Sequence, residues 1–213
     1  MRSNTSTLLR TGAVTPMVLA AAVCFAGVAN AATSVNWSCQ GTVAGVAQTS
    51  SMTTSVDGTT APSGSVTAGS PLAITLTPGA SSVPSSASGF TVQNISNLKM
   101  LIPVPANSTF VSTSISGGSV PGGAPSVALV GSDVVLTIPG PINGGSSFTP
   151  PAVTINVTAD APGTVTSKYA GTSYSSPGMT MTTRVTVPII GGTNVATSCY
   201  PNPSPTLTTT NVT

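Results

Sequence analysis

The sequence predicts an all-β fold: an Ig-like antiparallel β-sandwich of about nine or ten strands, built as one domain with one disulfide. Three observations predict it. Apolar and polar residues alternate at period two along most of the chain, and no stripe repeats every 3.6 residues. Gly/Pro clusters punctuate the alternating runs at short intervals. Two cysteines stand near the ends of the alternating region, at Cys39 and Cys199.

The first thirty-one residues read as a secretory signal. Arg2 and Arg10 make a basic start, Val14 to Val28 is an uncharged and mostly apolar run, and Ala29-Asn30-Ala31 is a small-x-small cleavage site. A comfortable membrane span needs roughly 20 apolar residues, so this run is short for an anchor. Cleavage is expected between Ala31 and Ala32, leaving a mature chain without a transmembrane segment. Val23 precedes Cys24, where lipid attachment wants a small residue. Removal of Cys24 leaves Cys39 and Cys199, and two cysteines in an exported chain allow only one connectivity. That bridge is expected to tie the first mature strand to the last. A thiol metal site would want histidine or C-x-x-C spacing, and the chain has neither.

Strands follow in order from residue 32 to 200. Val35, Trp37 and Cys39 share one face of "SVNWSC"; Leu72, Ile74 and Leu76 do so in "LAITL". Leu98, Met100, Ile102 and Val104 face together, with Lys99 opposed. "SVALVGSDVVLTI" reads as a hairpin turning at Gly131 to Asp133. Val153, Ile155 and Val157, then Met179, Met181, Val185 and Val187, point inward in two later strands. Strands in "TVTSKYA" and "NVATSCY" complete the set. Turns are expected at Asp57-Gly58, Pro78-Gly79, Pro121-Gly122-Gly123, Asn143-Gly144-Gly145 and Pro162-Gly163. The Ser-rich stretch 80–89 reads as a long loop within one domain. Residues 201–213, "PNPSPTLTTTNVT", read as a Pro/Thr-rich flexible tail.

Composition excludes several functions. The mature chain carries Lys99, Lys168 and Arg184 against Asp57, Asp133 and Asp160, a net charge of zero, and the sequence contains no His and no Glu. Nucleic-acid binding needs a basic stripe that displaces counterions, and anionic lipid attracts polybasic segments; neither pattern is present. Charged residues are 4% of the chain against an average near 25%. Positive mean hydropathy favours a packed core over charge-driven disorder. Ser and Thr, about a third of the mature chain, supply the solubility.

The central segment "LIPVPANSTFVSTSISGG", followed by "VVLTIPGPINGGSSFTPPAVTINVTADAPGTVTSKYA", resembles the conserved Ig-like repeat module of bacterial surface proteins. Pro105, Phe110, Val111, Gly144, Val153, Ile155, Val157 and Gly163 fall at the corresponding places, over roughly residues 90–170. The "NWSC" start and "CYPNPSP" end make the mature chain similar to exported actinobacterial proteins of undefined function. The resemblance implies fold and export; it brings no catalytic residue.

Without His or Glu, a Ser-His-Asp triad, a His metal site and a Glu-based acid pair are absent. Asp57, Asp133 and Asp160 are each accounted for by turn formation, and their scatter argues against calcium. Lys99 and Lys168 invite comparison with Lys–Asn cross-links of surface sandwiches, but solubility and edge protection account for them. Met179 and Met181 could offer thioethers to Cu(I), although gap-filling core is the ordinary role of such a pair. Trp37 is expected to pack on the disulfide. Sequons at Asn36, Asn94, Asn107, Asn156 and Asn211 carry little weight in so Ser/Thr-rich a chain.

The function expected is therefore a secreted or cell-envelope structural or adhesive module, not an enzyme, with no cofactor and no nucleic-acid partner. The alternative is a carrier for an apolar small molecule or lipid held between the sheets, which demands a cavity of about 300 Å³ or more. Edge strands with few guarding charges, partly relieved by Pro103, Pro105, Pro139 and Pro188, point to self-association or a cell-surface partner.

Overall fold

The computed structural model describes residues 32–213, so the expected secretory signal and the Ala31 side of its expected cleavage site lie outside the described residues. The strands run β1 (Thr33–Val43), β2 (Val46–Ala61), β3 (Ser65–Val66), β4 (Pro71–Pro78), β5 (Ser81–Ser82), β6 (Ser86–Ala87), β7 (Phe90–Pro103), β8 (Ser108–Ser116) and β9 (Ser126–Val130). They continue as β10 (Asp133–Ile138), β11 (Ile142–Asn143), β12 (Ser147–Phe148), β13 (Ala152–Ala159), β14 (Gly163–Ser167), β15 (Met179–Val187), β16 (Gly191–Pro201) and β17 (Thr208–Val212). The fold is all-β, as the alternation predicts.

Ten strands follow one hydrogen-bonded path, β8-β13-β4-β2-β1-β16-β15-β7-β10-β9, with β6 and β11 also paired to β7. Its two ends, β8 and β9, approach each other without forming a ladder, so the sandwich is nearly closed into a barrel. An immunoglobulin domain instead keeps two separate sheets. A three-stranded sheet, β14-β17-β3, and a two-stranded one, β12-β5, complete the fold. The inward faces read from the sequence form the core: Val35, Trp37, Leu72, Ile74, Leu76, Leu98, Met100, Ile102, Val153, Ile155, Val157 and Met179 are all buried. The expected hairpin at Gly131 joins β9 to β10, with Val130 opposite Asp133.

Disulfide pairing is as expected, and its setting is specific. Cys39 and Cys199 are direct cross-strand partners in β1 and β16, with Cα atoms 4.0 Å apart. The bridge therefore joins two neighbours within one sheet. β16 is not the last strand, because β17 follows it. Trp37, two residues before Cys39 on the same face, finds an aromatic partner in Tyr169, ring centroids 5.2 Å apart, and donates from Nε1 to Thr54 Oγ1 at 3.0 Å.

Two local expectations are corrected. Residues 208–212 of the expected flexible tail form β17, antiparallel to β14 and parallel to β3, with Leu207, Thr208, Thr210 and Val212 buried. A buried hydroxyl pair, Ser167 Oγ and Thr208 Oγ1 at 2.6 Å, fastens it. Asp57-Gly58 is not a turn: both residues lie inside β2, opposite Thr77 and Leu76. Gly58 is required because the chain at Leu207 crosses directly over it; a Cβ there would collide with the Leu207 carbonyl oxygen. Glycine inside a strand often marks such a close backbone approach.

Candidate ligand-binding cavity

The inward face of β2-β1-β16-β15 changes character along its length. One cross-strand row is Ser50, Cys39, Cys199 and Met179; the next is Gln48, Gly41, Thr197 and Met181. Thr183 then lies between Val195 of β16 and Ile95 of β7. Hydroxyls of Ser50, Thr197 and Thr183 thus interrupt the apolar face, while Gly41 makes room for Val195, whose Cγ1 would lie 2.6 Å from an added Cβ. This face is covered by the segment 83–88. Its backbone is held by Val83 N–H donating to Ser146 O (2.9 Å) and Gly145 N–H donating to Val83 O (2.8 Å). β6 turns into β7 through Ser88-Gly89, and Ser88 Oγ donates to Thr49 O at 3.1 Å, tying the cover to β2.

Between wall and cover lies a half-open cavity of about 430 Å³. Cys39, Met52, Val83, Val92, Ile95 and Met181 form its apolar part, and Thr49, Ser50, Ser51, Ser86, Ser88, Thr183 and Thr197 supply hydroxyls. A smaller cleft of about 70 Å³ shares Ser50, Ala87, Ser88, Thr183 and Thr197 and runs on toward Val43 and Gln48 near the β1–β2 turn. Thr183 Oγ1 and Thr197 Oγ1 are 2.9 Å apart, and Thr197 Oγ1 also points at Val195 O, 3.4 Å away. No ionisable side chain lines either space.

A register shift in β15 against β7 falls between Thr180 and Thr182, and it separates the two methionines expected together. Met179 packs beside Leu98, Met100 and Tyr169 around a void of only about 20 Å³, whereas Met181 reaches the large cavity. Met52 borders both.

The other candidate groups are dispersed. Asp133 opens β10, and Asp160 accepts from Thr109 Oγ1 at 2.8 Å where β13 ends. Asp57 keeps one buried carboxylate oxygen, Oδ1, without a hydrogen-bond partner. Lys99 and Lys168 are both exposed, so neither lysine is set in a buried cross-linking environment. Arg184 is held by Gln93 Oε1 (2.8 Å from Nε) and Asn194 Oδ1 (3.2 Å from Nη1). No group of three His, Cys, Asp or Glu residues able to hold a metal occurs among the described residues.

Fold and cavity define a disulfide-bonded, nearly closed β-sandwich with an uncharged, half-open cavity. No known protein family matches the chain, and no curated protein matches it in sequence. Among solved structures, the chain is similar to one described as a "putative membrane anchored protein" from Corynebacterium diphtheriae, with a TM-score of 0.51 and 17% identity. The likeness covers 86% of this chain and 37% of that one, so this chain spans little more than a third of that protein's length. At that identity the likeness is one of fold, and it leaves the Ig-like repeat resemblance without independent support.

Proposed function

We propose that the protein is an exported, cell-envelope-associated, non-catalytic module that binds an apolar small molecule inside its sandwich. The observation carrying this reading is the cavity of about 430 Å³, with its apolar and sulfur-bearing lining. Close-packed interiors leave few voids larger than a water molecule. A space of this size lies within the roughly 300–1,000 Å³ range of small-molecule sites. The disulfide supports an oxidising location outside the cytoplasm. The structural neighbour described as membrane anchored supports the envelope.

The sequence alone ranks a structural or adhesive role above a carrier, and the cavity moves weight to the carrier. Adhesion keeps one observation of its own. The unsealed edges β8 and β9 carry exposed Val111, Leu129 and Val130.

The test is native mass spectrometry and organic extraction of mature protein purified from the producing cells, beside an Ala87→Trp variant that fills the cavity. A bound neutral lipid-like mass in the wild type, lost in the variant, is the expected result. Empty protein that takes up no apolar probe would overturn the reading.

A further inference from the structure

We infer that the ligand is an electrically neutral amphiphile whose head is a hydroxyl donor: a long-chain or cyclic alcohol. The inference rests on the reading of the cavity as a small-molecule site and specifies what enters it.

The first step is charge. The chamber's lining contains no Lys, Arg or Asp. Lys99 and Lys168 are exposed, and Arg184 is occupied by Gln93 and Asn194. A carboxylate, phosphate or ammonium head drawn under the 83–88 cover would lose water and meet no counter-charge, which is costly for an ion. A carboxylate, phosphate or ammonium head is therefore disfavoured as the group seated against Thr183 and Thr197.

The second step is the direction of the hydrogen bond. Thr183 and Thr197 are the half-buried hydroxyls of the wall. One proton lies between the two oxygens, 2.9 Å apart, and the Thr197 proton can point at Val195 O, 3.4 Å away. Each hydroxyl has one proton and two lone pairs, so with Thr183 donating to Thr197 and Thr197 to Val195 both protons are used and lone pairs remain on two residues that line the cavity. A ligand hydroxyl can donate to them; an ether or a hydrocarbon cannot. The third step concerns the body. Met52 and Met181 are unbranched thioethers that adapt to irregular shapes and favour polarizable surfaces. The wall therefore tolerates a flexible chain or a fused ring.

The experiment uses delipidated, disulfide-bonded mature protein and four probes of one chain length: 1-decanol, decyl methyl ether, decanoate and decyltrimethylammonium. Binding is measured calorimetrically at pH 7.5, below micelle-forming concentrations. Decanol is expected to bind at least about tenfold tighter than either ion, and several-fold tighter than the ether, the scale of one net hydrogen bond. Thr183→Val should abolish the alcohol–ether difference while ether binding persists, and Thr183→Ser should restore it. Decanoate or the ammonium binding as tightly as decanol would overturn the neutral-head inference while leaving the carrier reading intact. Equal affinity of alcohol and ether in the wild type would overturn the donor assignment. Failure of all four probes would overturn the carrier reading and this inference with it.

Discussion

Gly58→Ala tests whether the C-terminal segment is built into the fold. Gly58 lies inside β2, and an added Cβ would meet the Leu207 carbonyl oxygen and approach Thr208 Cγ2 at 2.7 Å. A rotamer change could relieve the second contact but not the first, because the carbonyl belongs to a backbone fixed on both sides. Leu207 N–H donates to Ser167 O at 2.8 Å, and Thr208 pairs with Ser167 in the β14–β17 ladder. Overpacking of this kind costs about 1–3 kcal/mol. The segment also buries Leu207 and Val212, each contributing about 1.5–3 kcal/mol. The strain is therefore expected to be relieved partly by local release of 207–213 before the sandwich opens. Urea unfolding should show a lower midpoint for Gly58→Ala, and hydrogen exchange should show protection lost first at Leu207 and Thr213. Gly45→Ala is the control. Its φ of +82° makes alanine unfavourable, but no atom lies within 4 Å of the added Cβ, so its cost should leave the C-terminal amides protected. Unprotected amides from 207 to 213 in the wild type, or a Gly58→Ala midpoint unchanged within error, would refute the reasoning.

Further predictions concern the staple, the buried phenol and the sheet edges. Cys39→Ala/Cys199→Ala removes a link between residues 160 apart, worth about 5 kcal/mol in the chain-entropy model as an upper bound, so urea unfolding should reveal a loss of about 2–5 kcal/mol; thiol labelling of native protein at both cysteines would disprove the bridge. Burial raises the Tyr169 phenol above its ordinary pKa of 10.0. Both states keep the proton below pH 10, and above it the unfolded state loses it first, so stability should fall by up to about 1.4 kcal/mol per pH unit. Tyr169→Phe should flatten that alkaline decline in a pH series of urea melts; an unchanged slope would show that another group causes it. The exposed apolar residues on β8 and β9 predict weak self-association, visible as a rising sedimentation coefficient up to about 100 μM. Val111→Lys should suppress it, and a monomer throughout would count against the adhesive role.

The parts of this fold legible in the sequence are those that local pattern decides. A strand with one face on a core must alternate, so the Leu72, Leu98 and Val153 runs declare both their conformation and their inward face. The same rule fails at Val111. A register shift between β13 and β8 pairs Asn156 with Ser112 and Val157 with Phe110, leaving Val111 unpaired and 61% exposed. Asp57-Gly58 misleads for a different reason. A turn and a close backbone crossing both select glycine, and only the distant partner, Leu207, distinguishes them. β17 was hidden because its inward residues are Thr208, Thr210 and Val212, so the buried face is mostly hydroxyl and shows no apolar alternation.

The cavity left a trace in the sequence, but one that alternation alone does not interpret. Along the strands that build its wall, inward positions that would carry large apolar residues are instead Ser50, Thr183 and Thr197. Each looks like an ordinary lapse in a Ser/Thr-rich chain. Their significance comes from register, which sets them beside one another across four strands that run in the order β2-β1-β16-β15, although the sequence orders them first, second, fifteenth and sixteenth. The cover poses the same difficulty, since a Ser-rich stretch such as 80–89 reads as loop whether it spans solvent or roofs a chamber. What fixes it as a roof is its bonding to Ser146 and Gly145 on one side and Thr49 on the other. Valine at Thr183 or Thr197 would extend the apolar face into the cavity. The small, hydroxylated residues found there lower the packing, and the proposed binding role gives that loss of packing a purpose.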